Sequence, residues 1–291
     1  MGDRNEVLLP AIQHGWLDRP DCRLYYEVTG TGPALLFAHG LGSNHLTWWQ
    51  QVPYFAGRYT CVTFAHRGYP PGSPLPGGPD PQDFAGDLAA LIAHLHLADV
   101  RLVAQSMGGW SCLEYALACP QTVRALVLAS TCGTIHQSAV PLADPHRLAL
   151  WTRQAAATRA DLQRRGIAPP AGERLAREQP ALHFLYCAIA NASAAVDHEA
   201  LRARLGAVAT RPPDVLRGFA VPTLFLTGAD DIIYPPFLSD ALAPLLPHAT
   251  VEHVEDAGHS VYFERAAVFN RLVDRFLGAL GEGQPDTDPR T

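Results

Sequence analysis

Short, wholly apolar runs recur along this chain, each ending in glycine or a polar turn. They limit its fold more than any other feature. Ala34-Leu35-Leu36-Phe37-Ala38, Leu102-Val103-Ala104, Ala125-Leu126-Val127-Leu128-Ala129 and Val221-Pro222-Thr223-Leu224-Phe225-Leu226 lack polar alternation, so each is expected to be buried on both faces, as in a parallel sheet covered by helices. Helical patterns separate them. Asp80-Pro81-Gln82-Asp83 supplies an N-cap, proline at the first helical position and an acid two residues on, after which Phe84, Leu88, Leu91, Ile92 and Leu95 share one face. A second helix is expected from Ser106 to about Cys119. This alternation predicts an α/β domain with a mostly parallel central sheet flanked by helices. Residues 1–33 read as an antiparallel lead-in, with a half-buried strand over 22–28.

From 134 to 213 the strand pattern stops. Ala-, Leu- and Arg-rich helical segments follow, separated at 166–170 and at Pro180, and predict a helical cap inserted into a core formed by 1–133 and 214–281. The core resumes with strands over 221–226 and 250–254 and a final helix presenting Val268, Leu272 and Phe276. The tail 282–291, rich in Asp, Pro and Gly, is expected to be disordered.

Charge and residue usage exclude several classes. The formal net charge is −6, which does not advertise the basic face that nucleic acid requires. All 22 basic residues are arginine, so a phosphate-loop lysine, a Schiff base and a Ser-Lys dyad are ruled out. The six cysteines are scattered without metal-ligand spacing, and no apolar run suits a secretion signal or a membrane span. A cytoplasmic protein with reduced thiols, a monomer or homodimer without metal or cofactor, is expected. His94 and His96 lie two apart on a helix and point in different directions, so they cannot share a metal.

Chemistry concentrates at Arg101-Leu-Val-Ala-Gln-Ser106-Met-Gly-Gly-Trp110, where an apolar run meets a serine and then a helical pattern. A serine hydroxyl becomes nucleophilic when a base takes its proton and donors await the developing oxyanion. A sharp strand-to-helix turn provides the exposure, the small residues 104, 108 and 109 permit it, and the helix start aims the Met107 N–H at the reacting centre. The alternative is a buried serine at an ordinary helix start.

Ala104-Gln105-Ser106-Met107-Gly108 resembles the G-x-S-x-G nucleophile elbow of the α/β-hydrolase fold, with alanine in place of the first glycine. The resemblance spans nearly the whole chain outside the cap. It implies that His39-Gly40-Leu41-Gly42, directly after a buried strand, supplies the second oxyanion donor, the Leu41 N–H. It also implies a Ser-Asp-His order, with His259 in Ala257-Gly258-His259 as base, Glu264 matching the usual segment after it, and Asp231 as acid, because G-x-x-D-x-x-x-P fits Gly228, Asp231 and Pro235. Asp230 is then a turn residue. Ala65 stands where the family usually carries aspartate. Serine at the nucleophile position separates the chain from the dehalogenase and epoxide hydrolase branches, which use aspartate.

The expected activity is hydrolysis of a small ester, thioester or lactone through an acyl-enzyme. C–C bond or enol-lactone hydrolysis is the alternative within the fold, related sequences also being called cofactor-free haloperoxidases. A non-catalytic ligand-binding protein is the alternative outside it. His39, Gln105, Trp110 and Trp151 are candidate substrate contacts. Residues 134–213 carry ten arginines against six acids, a local charge of +4. Either an arginine there faces the pocket and attracts an acidic substrate, or the arginines occupy solvated helix faces.

Overall fold

A computed structural model describes residues 11–281; the expected tail at 282–291 lies outside the described residues. Eight strands form one sheet: β1 (Gln13–Asp18), β2 (Arg23–Thr29), β3 (Ala34–Ala38), β4 (Thr60–Phe64), β5 (Val100–Gln105), β6 (Val123–Ala129), β7 (Thr223–Gly228) and β8 (Ala249–Val254). Their order is β1-β2-β4-β3-β5-β6-β7-β8, antiparallel at β1-β2 and β2-β4 and parallel from there on. The apolar runs are strands because both their faces are covered. Leu36, Ala38, Leu102, Ala104, Leu126, Leu128 and Phe225 pack into one core, and their neighbours Leu35, Phe37, Val103, Val127, Leu224 and Leu226 into the other.

The helices are α1 (Val52–Phe55), α2 (Phe84–His94), α3 (Gly108–Ala118), α4 (Arg147–Arg164), α5 (Gly172–Glu178), α6 (Pro180–Asn191), α7 (His198–Val208), α8 (Phe237–Leu242), α9 (Val261–Glu264) and α10 (Ala266–Ala279). Leu88 and Leu91 of α2, Leu113 of α3 and Leu238 of α8 fill the first core, Phe55 of α1 and Phe269 and Val273 of α10 the second. Asp80 accepts the Gln82 N–H and starts a short 3-10 turn ahead of α2. α2 stops at His94, and His96 follows in the left-handed region at φ 53°. On α10 the buried apolar residues are Phe269, Val273 and Leu277, with Val268, Leu272 and Phe276 half-buried beside them and packed against the same core. The stripe is therefore centred one residue later than its sequence pattern suggests.

Between β6 and β7 the chain forms α4 to α7, with one isolated bridge pairing Ile135 with Arg211. Asn44 Nδ2, from the loop after β3, donates to the Ile189 carbonyl (3.0 Å) and to Ser193 Oγ (3.2 Å), joining this helical segment to the sheet edge. The six cysteines are unpaired. Among the described residues no helix is long and apolar enough to cross a membrane.

Candidate active site

Parallel strands present their C-terminal ends on one edge, and the loops after β3, β5, β7 and β8 meet there. Ser106 follows β5 with φ 50°, a left-handed conformation that a non-glycine residue adopts only where its surroundings impose it. The surroundings are tight. The Ser106 N–H donates to the Ala129 carbonyl at 3.0 Å, and a Cβ on Gly108 would lie 2.3 Å from the Ala38 carbonyl oxygen. Glycine at 108 therefore lets α3 start hard against β3, which turns Ser106 outward, half-buried. Ala104 sits fully buried inside β5.

Asp231 and His259 are both buried, and His259 Nδ1 lies 2.9 and 3.2 Å from the two Asp231 carboxylate oxygens. With Nδ1–H donating, Nε2 keeps its lone pair. Asp231 Oδ1 also accepts the Ile233 and Tyr234 N–H groups at 2.7 and 2.9 Å, so its carboxylate is fixed from two sides. Asp230 points elsewhere, pairing with Arg174 of α5 at 3.4 Å. The two loops touch through bare backbone, since a Cβ on Gly228 would fall 2.1 Å from the Gly258 carbonyl oxygen. Among the described residues no hydrogen bond joins Ser106 Oγ to His259. Gln105 Nε2 reaches the His259 carbonyl at 3.5 Å and sets the two segments side by side. Contacts between a nucleophile and its base are often long without substrate and tighten in the complex.

Behind His259 sits Glu264. Its carboxylate accepts the Gly258 N–H at 2.8 Å and the Ser260 N–H at 3.0 Å, the two amides flanking the histidine. Burial pushes its pKa up to about 7 against those two hydrogen bonds. Sequence resemblance marks Glu264, but its grip on both amides is visible only in three dimensions.

The Leu41 and Met107 N–H groups donate to no backbone acceptor among the described residues. Tyr69 links their segments: its hydroxyl donates to the Leu41 carbonyl at 2.7 Å and lies 3.7 Å from Met107 Sδ. Tyr69 was not a sequence candidate. It sits in the loop after β4, where one tyrosine among prolines and glycines carries no local signal.

The candidate substrate contacts fare differently. His39 is fully buried, its Nδ1 2.8 Å from the Gly40 carbonyl and its Nε2 accepting the His66 N–H at 3.1 Å. Burial pushes its pKa down to about 3. Both ring nitrogens are engaged in bracing the loop. Gln105 is likewise buried, against Gly40 and the histidine loop. Trp110 is half-buried, its Nε1 donating to the Leu205 carbonyl of α7 at 3.1 Å. Trp151 lines a cavity of about 530 Å³ between α4, α5 and the loop after β7, together with Thr158, Arg174, Asp231, Ile232 and Gly258. Ser106 is not part of its wall.

A family model for the alpha/beta hydrolase fold matches residues 33–266. A putative non-heme bromoperoxidase, BpoC of Mycobacterium tuberculosis, is 30% identical over 273 residues, covering 88% of this chain and 98% of that protein. The 3-oxoadipate enol-lactonase 2 of Acinetobacter baylyi is 27% identical, covering 90% of this chain and 95% of its own. Among solved structures, a thermophilic esterase from Thermogutta terrifontis superposes with a TM-score of 0.71 at 23% identity, over 92% of this chain and 99% of that one.

Proposed function

This chain belongs to the alpha/beta hydrolase fold family, and from that premise we propose that it is a serine hydrolase, cleaving a small ester, thioester or lactone through an acyl-enzyme. One observation carries the reading: the buried Asp231–His259 pair stands on the same sheet edge as a serine held at positive φ. His259 Nε2 takes the proton as Ser106 Oγ bonds to the substrate carbonyl carbon. Asp231 holds the tautomer and stabilises the imidazolium that forms. The carbonyl oxygen, now an oxyanion, accepts the Leu41 and Met107 N–H groups, which face it without a competing backbone acceptor. His259 then protonates the leaving oxygen or sulfur as the tetrahedral intermediate collapses to the Ser106 ester. Water repeats the sequence and frees the acid. α4 to α7 cap the site in this reading.

Ser106→Ala is expected to lower kcat for a short-chain 4-nitrophenyl ester by at least about 10⁴-fold while its circular dichroism stays that of the wild type. Full retention of activity would remove Ser106 from the chemistry. A second reading, enol-lactone hydrolysis by the same residues, is favoured by the likeness to the Acinetobacter enol-lactonase. Comparing kcat/KM for enol-lactones, vinylogous diketones and plain esters separates the two.

A further inference from the structure

Tyr69 touches both segments that would face an oxyanion, and its own placement is fixed from several sides. It is fully buried in the loop after β4, and its N–H donates to the His66 carbonyl at 3.0 Å. In the same loop the buried Arg67 guanidinium reaches Asp87 at 2.7 and 2.9 Å, Asp83 at 2.6 Å and Asp21 at 3.0 Å. These bonds tie the loop to α2, to the turn ahead of it and to the connection between β1 and β2. His198 of α7 stacks on the Tyr69 ring with centroids 6.3 Å apart, and Leu201 and Leu205 share an apolar cluster with Tyr69 and Met107. Burial pushes the phenol pKa up, so the hydroxyl keeps its proton and serves as a donor throughout the neutral range.

Two peptide planes meet at Leu41. The first, Gly40 to Leu41, carries the N–H that would face the oxyanion. Its carbonyl, on the opposite side of the trans plane, accepts the Ser43 N–H at 3.2 Å and lies 2.8 Å from His39 Nδ1. The second plane, Leu41 to Gly42, has its carbonyl held by the Tyr69 hydroxyl at 2.7 Å, and among the described residues no backbone N–H reaches it. A plane that ends in glycine turns over cheaply, because no Cβ restrains residue 42, and beyond its chain neighbours no atom lies within 4 Å of where one would stand. Turning that plane would swing Leu41 and tilt the N–H beside it. Tyr69 is sealed from solvent, so its hydroxyl can act on a substrate only through Leu41.

We propose that Tyr69 is a positioning residue for the oxyanion donor: its O–H, by holding the Leu41 carbonyl, keeps the Leu41 N–H aimed where negative charge develops. This role rests on the hydrolase reading above. Tyr69→Phe removes the hydroxyl and keeps the ring with its packing. It is expected to lower kcat for 4-nitrophenyl butyrate by about tenfold with KM within about twofold of the wild type, since a misplaced donor is felt where charge develops and not in the ground state. An alkyl trifluoromethyl ketone reads the same donors without turnover. Ser106 Oγ adds to its carbonyl carbon, the serine proton passes to His259, and the hemiketal oxyanion stands where the transition-state oxygen would. Its Ki should rise by the factor that kcat loses, while the shape of the pH–rate profile stays that of the wild type because the base is untouched. The loss should shrink in a Gly42→Ala background, where a methyl group restrains the same plane. Tyr115→Phe, which removes a hydroxyl that meets Thr122 at 3.0 Å beyond the far end of α3, should change neither constant. A Tyr69→Phe protein whose kcat and Ki both stay within about twofold of the wild type overturns the proposal. So does a loss in kcat that Ki does not follow, that Tyr115→Phe shares or that Gly42→Ala leaves undiminished, and so does loss of cooperative unfolding. A wild type that neither cleaves the ester nor binds the ketone removes the hydrolase reading itself, an outcome that no result at position 69 can mimic.

Discussion

The sheet edge and the helical segment above it are held by different means. At the edge, loops approach through backbone: Gly108 against Ala38, and Gly228 against Ala257 and Gly258, leave no space for a methyl group. Asp231 and His259 are buried there. In the helical segment, the 18-residue α4 buries only Ala155 and Leu162 and carries exposed ion pairs such as Arg164–Asp161. Its neighbours reach the core through single apolar side chains such as Leu175, Ile189, Leu201 and Leu205 and through polar contacts, among them Asn44 to Ser193, Ser260 to Tyr186 at 3.1 Å, and Arg174 to Asp256 at 2.9 Å. Groups that need sub-ångström placement thus sit where the chain cannot shift. The exposed side chains of α4 sit where they can be exchanged at small cost to the fold.

The contrast can be broken, and the largest effect should come from the edge. Asp231→Asn keeps the shape of the acid but favours the wrong histidine tautomer, and is expected to lower kcat by about 10³- to 10⁴-fold. A loss below about tenfold in steady-state kinetics would mean that burial of Asp231 serves structure alone. Gly108→Ala comes next. Its methyl group would meet the Ala38 carbonyl, so urea unfolding should register a loss of about 3 kcal/mol, with kcat/KM falling as Ser106 is displaced. Undiminished stability would show that the edge yields as readily as the helices.

Glu264 sharpens the comparison through pH. A carboxyl whose pKa is raised on folding holds its proton longer in the native state, so its contribution is complete below the ordinary value of 4.5 and is lost as pH rises through about 7. Differential scanning calorimetry between those limits should show this component of Tm falling with pH, and Glu264→Gln should flatten it. An unchanged slope would assign the pH dependence to other groups. Smallest of all, Arg164→Gln on α4 should leave Tm within about 2 °C of the wild type. A larger drop would give the exposed helices a structural weight that the contrast denies them.

How much of this was legible in the chain follows from the range of each interaction. The wholly apolar runs announce strands because burial on both faces forbids polar residues, and the parallel sheet follows. The spacing Gly228, Asp231, Pro235 separates two adjacent aspartates, and in the structure the carboxylate beside His259 is that of Asp231, while Asp230 turns to Arg174. The backbone partners of His39 were not legible, because a histidine after a strand looks the same whether its nitrogens face a ligand or the backbone of its own loop. The contact of Gln105 was hidden for a similar reason, its partner His259 being 154 residues away. Tyr69 depends on how loops and helices cross above the sheet, which local periodicity does not encode.

The contact of Gly228 with the Gly258 carbonyl has a practical consequence for anyone transplanting this machinery. Carboxylate and imidazole loops joined without an intervening side chain form one corner piece, so a chimera that imports either loop alone inherits a mismatched seam. Exchanges that carry both together, or that swap α4 to α7 and leave the corner whole, are the ones that should yield working hybrids.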